Sequence, residues 1–557
     1  MEDKIHFPTD NRIKIVIGVF LVVVIIVFFR LIWLQIIDAE PNKKAAIESR
    51  TVTYTTNPKR GTIYDRNGNV LAFSKEAKTI YANPSEIENV DSVAKDLSSE
   101  LGGKIDDYKD LINDKNKKFV YIKRRLDIDK IDGLESKKIK GIYLIDDTKR
   151  EYPYGEIAGQ IVGTCNIDGD GLCGLELQYD DILRGSKGTT VVQQGQAGMP
   201  IPGGKVQETE SVDGQDLMIS IDIELQQKMQ EYVAAYDQKI SAESTHALVM
   251  DPTNGEIYAA CSTPYLNPKD TNNIKQGATE LRPISSTFEP GSTFKTVSAS
   301  ALLENNAVKP EEEFNCPSDL FADGYYVSDA HKRGAQTFTF KQIIERSSNV
   351  GISLATERMG FVKFYDKIIK YQFDEAPGTD FPGDTKGYIS PQEQWSKIQS
   401  YNVTFGQGIT VTPMQMTRFY SALANNGYEV TPHFLMRYLQ TSNDVEYESK
   451  DVIENKNSIP ITVDLLKSVV DNGTGEYARI DGYGVAGKTG TGEIADSNGK
   501  YLSGIYYNSF IGFLSQATQP LICYVGGQHV PSEIAMTPLF KDIMKFAIER
   551  FKISPKG

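Results

Sequence analysis

The sequence predicts an α+β fold in three parts: a membrane-spanning helix, a modest mixed module, and a large domain with a mainly antiparallel sheet flanked by helices. Three observations predict it. Residues 15–29 form an unbroken apolar run with one glycine. Residues 85–150 are charge-rich and switch between helix-like and strand-like patterning. Beyond residue 215, strand patterns meet at turn-forming residues, and amphipathic helices stand near both ends. The implied bounds are 1–12 for a tail, 13–37 for the span, 38–214 for the first module and 215–557 for the second domain. A hydrophobic content of 40% and a charged content of 24% are those of an ordinary globular protein. The net charge of -14 argues against nucleic acid as a main partner, because no domain-wide basic surface is available to neutralise phosphates.

The span needs more than the run itself. Fifteen helical residues reach about 22 Å, short of the ~30 Å hydrocarbon core. Adding Leu31, Ile32, Trp33, Leu34, Ile36 and Ile37 supplies the length and brings Arg30 and Gln35 with it. Trp33 suits the interfacial belt. Arg30 reads either as a snorkelling anchor or as a contact for a partner's membrane helix. No small-x-small site follows closely and no cysteine lies nearby, so the segment is expected to be retained. Lys4, Arg12 and Lys14 before it balance Lys43, Lys44 and Arg50 after it, and charge leaves its orientation open.

In the first module, Asn67-Gly68 followed by Val70-Leu71-Ala72 predicts a hairpin turn. Val93–Leu101 and Tyr108–Asp114 read as short helices, and Phe119–Ile122 and Ile142–Ile145 as strands. Residues 185–215, rich in Gly, Gln and Pro, read as a connector. In the second domain, Leu217–Ile221 alternates as a strand, and Ile223–Ile240 is amphipathic with Asp222 as N-cap. Ala247–Met250 and Glu256–Ala260 form a hairpin around Asp251-Pro252-Thr253-Asn254-Gly255. Lys488–Ala495 and Tyr506–Leu514 form another around Ser497-Asn498-Gly499. Leu521–Gly526 is a third strand, and Pro538–Phe551 a closing helix.

None of the five histidines pairs with another at zinc-ligand spacing. Asn166, Asp168 and Asp170 resemble a fragment of a calcium loop without its closing Glu, and a plain turn is the alternative. Cys165 and Cys173, eight apart in a Gly/Asp-rich loop, leave a disulfide and free thiols both open.

The chemistry lies in three motifs in a fixed order: Ser292-Thr293-Phe294-Lys295, Ser347-Ser348-Asn349, and Lys488-Thr489-Gly490-Thr491. Each alone is weak; together they suit acyl transfer through a serine ester. Glu289-Pro290-Gly291 breaks the chain before Ser292 and Phe294 onward is helix-compatible, so Ser292 and Lys295 share a helical face. Lys295 acts as base only when neutral, which asks its ammonium to lose about 3 to 4 kcal/mol of stability. Burial, the helix N-terminus and a second cation, Lys488, push that way. Ser347 offers a proton to the departing amine, and Asn349 holds a substrate carbonyl; both residue types also cap helices. Gly490 lets an extended ligand approach the strand edge. Thr489 and Thr491 offer hydroxyls to a carboxylate, and the backbone N–H groups of Thr491 and Ser292 are candidates for an oxyanion hole.

At these residues the chain resembles the penicilloyl-serine transferases, specifically the class B penicillin-binding proteins. Arg60-Gly61 through Asp65-Arg66-Asn67-Gly68, Arg150-Glu151-Tyr152-Pro153-Tyr154-Gly155 and Gly171-Leu172-Cys173-Gly174-Leu175-Glu176 resemble that class's pedestal motifs. Phe405-Gly406-Gln407-Gly408-Ile409 with Thr412-Pro413-Met414-Gln415 resembles the stretch before the lysine strand. Asp329-Ala330-His331 to Ser347, and Gly408 to Pro413, look more like the division or sporulation branch than the elongation branch. Cys165 and Cys173 lie outside the family pattern, and no PASTA repeats follow the domain.

The resemblance implies a pedestal at 38–214 and a transpeptidase domain at 215–557, outside the membrane, with residues 1–12 cytoplasmic. It implies a peptidoglycan D,D-transpeptidase that needs no cofactor or metal, acts on stem pentapeptides and is acylated by β-lactams. The catalytic residues would be Ser292, Lys295, Ser347, Asn349 and Lys488, with Thr489, Gly490 and Thr491 binding substrate. A SEDS-type membrane glycosyltransferase is the implied partner. Two alternatives remain at this stage: a D,D-carboxypeptidase or β-lactamase-like hydrolase of the same superfamily, and a non-catalytic β-lactam sensor or wall-machinery scaffold.

Overall fold

The computed structural model describes residues 11–37, 51–194, 200–441, 443–495, 501–531 and 533–556. The chain divides into two compact units. The first holds residues 1–58 and 185–213. Its helix Asn11–Ile32 runs into a π-helical turn, Trp33–Ile37. The stretch Ile13–Ile36, 24 residues with mean hydropathy 3.3, is long and apolar enough to cross a membrane.

Residues 185–215 are not a plain connector. Gly188–Gln194 is the central strand of a three-stranded antiparallel sheet, between Thr51–Thr56 and Pro200–Thr209. Thr51 pairs with Gln193 and Thr56 with Gly188. The β-branched run Thr189-Thr190-Val191-Val192 favours a pleated strand over a loop. Its first partner lies far upstream, so local patterning gives no sign of the pairing.

The second unit holds Lys59–Arg184 and Gly214–Gly557. The Asn67-Gly68 turn forms as expected: Asp65 Oδ1 accepts from the backbone N–H of Asn67 and of Asn69 at 2.8 Å, and Gly68 takes φ +85°. Behind it the long strand Val70–Ala82 is flanked by Val120–Asp127 and Ile142–Glu151. Helices Val90–Leu101 and Ile105–Ile112 complete a small core around Ile80, Leu97 and Ile112. The third strand outruns its apolar start, and the charged residues of its extension are paired: Lys149 meets Glu151 at 2.8 Å and Asp127 at 3.7 Å.

Ile63–Tyr64 lies parallel to Leu217–Ile219, which pairs antiparallel with Leu435–Tyr438, so one sheet joins the early module to the later domain. Three of the pedestal-like motifs converge on Glu176, which is fully buried. Arg60 Nε reaches its Oε2 at 2.6 Å and Arg150 Nε its Oε1 at 2.7 Å. Burial pushes this carboxyl up, but the charges of Arg150 and Arg60 outweigh it and hold it below the ordinary glutamate range. Its contribution to stability is therefore present above the unfolded carboxylate pKa and is lost as pH falls through the folded one. Glu176→Ala leaves Arg150 without its carboxylate and Arg60 with Asp180 alone, at 2.6 Å, and the expected loss is about 3 kcal/mol, the low end for a broken buried pair. Urea denaturation of the variant checks this, and an unchanged midpoint would contradict it.

The later domain is built on a five-stranded sheet ordered Ile257–Ser262, Ser244–Met250, Ile522–Val530, Tyr501–Leu514, Val485–Ala495. Strand alternation separates two cores. Ala247 and Val249 join the side chains of helices Ile223–Ile240 and Thr537–Phe551, whereas Leu248 and Met250 join Phe294, Val297 and Phe419 on the other face. Asp222 caps its helix as expected, accepting from Leu225 N–H at 2.9 Å. The turn at Ser497-Asn498-Gly499 lies outside the described residues. Val485–Ala495 is the last strand in the order, and among the described residues no strand lies beside its outer edge.

Candidate active site

Pro290 and Gly291 open a 3-10 turn, Gly291–Phe294, that passes directly into the helix Lys295–Glu304. The turn is wedged from two sides. Gly291 N–H donates to Gly406 O at 3.0 Å, which gives the Phe405–Ile409 motif its structural reason. On the other side, a Cβ on Gly291 (φ +51°) would stand 2.7 Å from Thr491 O, and one on Gly490 would stand 2.8 Å from Thr293 Cγ2. Glycine at both positions lets the free strand edge lie against the serine turn.

Ser292 is half-buried and Lys295 is fully buried on the next turn. Lys295 Nζ lies 3.0 Å from Ser292 Oγ, 2.6 Å from Ser347 O, 3.0 Å from Ser347 Oγ and 2.7 Å from Asn349 Oδ1. The capping role in the second motif falls to its middle residue. Ser348 caps the helix Asn349–Met359, accepting from Gly351 N–H. Ser347 takes a left-handed φ of 57° and Asn349 opens the helix, which turns both of their side chains toward Lys295. From the third motif, Lys488 Nζ donates to Ser347 Oγ at 3.1 Å, and Thr489 Oγ1 lies 2.8 Å from Thr474 Oγ1. Thr491 pairs with Asn508 in the sheet. All eight residues expected from the sequence therefore meet around one serine.

The electrostatics follow from this crowding. Burial, and then the charge of Lys488, push Lys295 well below the ordinary lysine range, against a smaller opposing pull from Asp329. Burial alone brings Lys488 down to about 7. A neutral Lys295 has two N–H groups and one lone pair. The two closest acceptors, Ser347 O and Asn349 Oδ1, cannot donate and so take the N–H groups. The lone pair is left for a hydroxyl, and Ser292 presents one.

Sequence reasoning gave no role to the groups behind the second motif. Asp329 accepts from Ser348 Oγ at 2.9 Å and from Val350 N–H at 3.0 Å, and is itself held by Arg333 Nε at 2.7 Å. Asn349 Nδ2 is fixed by Ser328 O at 2.9 Å. The available sign was the i, i+4 spacing of Asp329 and Arg333. Elsewhere, Asn166–Asp170 is a turn: Asn166 Oδ1 accepts from the N–H groups of Asp168 and Asp170, and Asp168 pairs with Arg124 at 2.8 Å. Among the described residues no three His, Cys, Asp or Glu side chains are grouped to hold a metal. Cys165 and Cys173 are unbridged.

The chain matches two protein families. Residues 245–545 match the penicillin-binding protein transpeptidase domain, and residues 55–219 the penicillin-binding protein dimerisation domain. It is 30% identical to the stage V sporulation protein D of Bacillus subtilis, over 98% of this chain and 86% of that protein. It is 26% identical to the peptidoglycan D,D-transpeptidase FtsI of Escherichia coli, over 98% of this chain and 92% of that one. The crystal structure of penicillin-binding protein 3 from Mycobacterium tuberculosis complexed with aztreonam superposes with a TM-score of 0.70 at 25% identity, covering 90% of this chain and 98% of that chain. Two domain matches in succession, and likeness to these relatives along nearly the whole length, lead to one conclusion: the chain belongs to the class B penicillin-binding proteins.

Proposed function

We propose that the protein is a serine-type D,D-transpeptidase that cross-links peptidoglycan, with Ser292 as nucleophile and Lys295 as its base. The observation that carries this is the seating of Lys295 Nζ, 3.0 Å from Ser292 Oγ with two carbonyl oxygens occupying its donors. Ser292 Oγ attacks the penultimate D-alanine carbonyl of a stem peptide while Lys295 takes its proton. The C–N bond to the terminal D-alanine breaks, and its nitrogen receives a proton through Ser347. In the second half, an amine from a neighbouring stem attacks the ester, the C–O bond to Ser292 breaks, and the amine's proton returns to Ser292 by way of Lys295. The donor lies along the free edge of Val485–Ala495 as an added strand. Its terminal carboxylate faces Lys488, Thr489 and Thr491, and Asn349 holds its backbone. The resemblance to the sporulation and division relatives favours a role in septal or spore wall synthesis.

Ile13–Ile36 anchors the protein in the membrane, with the N-terminal tail cytoplasmic and the transpeptidase domain outside, where its substrate is. Family resemblance supports a SEDS-type membrane glycosyltransferase as partner. The test of the chemistry is the mass of the intact protein after benzylpenicillin treatment. One penicilloyl adduct on the peptide containing Ser292 is expected; no adduct, or one elsewhere, rejects the assignment.

A pH profile separates the two lysines. Lys295 works only neutral, so acylation rises with pH through its lowered pKa. Lys488 works only charged, so capture of the donor carboxylate weakens as pH rises through about 7. Because kcat/KM reports the free enzyme, its profile for acylation is expected to be bell-shaped, the two limbs belonging to the pair as a whole. A flat profile between about pH 6 and pH 9 would remove these roles.

A further inference from the structure

Beside the second motif lies an open cavity of about 440 Å³, and none of its lining residues belongs to the strand Val485–Ala495. Asp319, Tyr326, Ser328, Asp329, Lys332 and Arg333 line it. Three hydrogen bonds link it to the reacting oxygen. Ser328 O accepts from Asn349 Nδ2 at 2.9 Å, Asn349 Oδ1 lies 2.7 Å from Lys295 Nζ, and that Nζ lies 3.0 Å from Ser292 Oγ.

The charges around the cavity are unequally engaged. Asp319 accepts a hydrogen bond from Ser328 Oγ. Asp329 is committed to Ser348, Val350 and Arg333. The cations have donors to spare. Lys332 is exposed, with no hydrogen bond or ion pair to any described residue, and Arg333 Nη2 is buried without a partner. The donors left unfilled at the cavity are therefore cationic, with the charge of Asp319 near them. Its rim is aromatic: Tyr326 is 71% exposed and packs on Phe321, itself 65% exposed, with ring centroids 4.9 Å apart. Rings that stand this far out offer a peptide apolar contact at little cost in side-chain entropy.

We propose that this cavity seats the acceptor in the second half-reaction: an amine-bearing wall peptide whose carboxylate is held by Lys332 and Arg333 and whose amine faces the ester on Ser292. The inference rests on the transpeptidase reading and adds where the second substrate binds. Donor and acceptor then approach the serine from different elements, the strand edge and the segment 318–333, so both fit at once. Nitrogen forms its bond to the acyl carbon as the bond to Ser292 Oγ breaks, and the proton lost by the amine ends on Ser292. The cavity residues take no part in that exchange; they position the nucleophile.

The test uses the full-length protein in detergent, an N-acyl-D-alanyl thioester as donor, and two amines, Nα-acetyl-lysine and its amide. Mass spectrometry reads the ratio of aminolysed to hydrolysed product. Wild type is expected to favour the carboxylate-bearing amine by about fivefold, the size of one partly exposed ion pair. Lys332→Glu is expected to erase that preference and Lys332→Arg to keep it, while the rate of acylation by the thioester stays within about twofold of wild type. Tyr326→Ala is expected to lower aminolysis by both amines. A Lys332→Glu protein that retains the preference overturns the proposal, as does an acylated wild type that shows no preference or no aminolysis. A wild type that the donor does not acylate is a different failure, and it removes the transpeptidase reading itself.

Discussion

Ser292→Ala is expected to abolish covalent labelling by a fluorescent penicillin while the protein stays folded. The serine contributes little to the architecture: among the described residues its hydroxyl hydrogen-bonds only with Lys295 Nζ, which keeps Ser347 O, Ser347 Oγ and Asn349 Oδ1 as partners when that oxygen is removed. The turn itself is held by backbone, through Gly291 N–H to Gly406 O at 3.0 Å. Thermal melting should therefore match wild type within the small range of a half-buried substitution. Gel fluorescence reads the labelling. Ser347 is the other hydroxyl 3.0 Å from the amine, so labelling that persists in the variant and disappears in Ser292→Ala/Ser347→Ala would move the nucleophile one motif along.

Lys295→Ala is expected to slow acylation by about 10²- to 10⁴-fold, the usual worth of a positioned general base. Among the described residues no carboxylate lies within hydrogen-bonding distance of Ser292, and Lys488 lies on the far side of Ser347, donating to it at 3.1 Å. Non-covalent binding should survive, since the strand edge and Lys488 remain in place. Stopped-flow acylation separates the two quantities. A fall of less than tenfold would take the base role away from Lys295 and leave it a positioning residue.

How much of this was legible in the chain varied from element to element. Ser292 and Lys295 were readable as a pair because the helix brings i and i+3 together. Asp222 as a cap and the hairpin around Asp251–Gly255 were readable because each answers a local backbone demand. What escaped notice depends on distant partners. Ser347 reaches Lys295 because Ser348 takes the cap and leaves its neighbour in a left-handed conformation, a division of labour between adjacent serines that residue type does not reveal. Asp329 and Arg333 carried a readable spacing, but their object, Ser348, lies 19 residues away. The strand at Gly188–Gln194 had the right composition yet sat among Gly and Pro, and turn chemistry masked it. The pairing of Ile63–Tyr64 with Leu217–Ile219 joins segments far apart in the chain, and it is a property of the folded chain that local patterning does not show.

The three-stranded sheet also sets an order of events during synthesis. Thr51–Thr56 emerges early, and its neighbour Gly188–Gln194 follows only after the intervening module has been made. At ordinary elongation rates of about 5–20 residues per second, the earlier strand waits roughly seven to twenty-seven seconds with its peptide groups unmatched. During that interval the newborn polypeptide displays a bare, β-prone template, the kind of segment to which holding chaperones and neighbouring nascent chains are drawn.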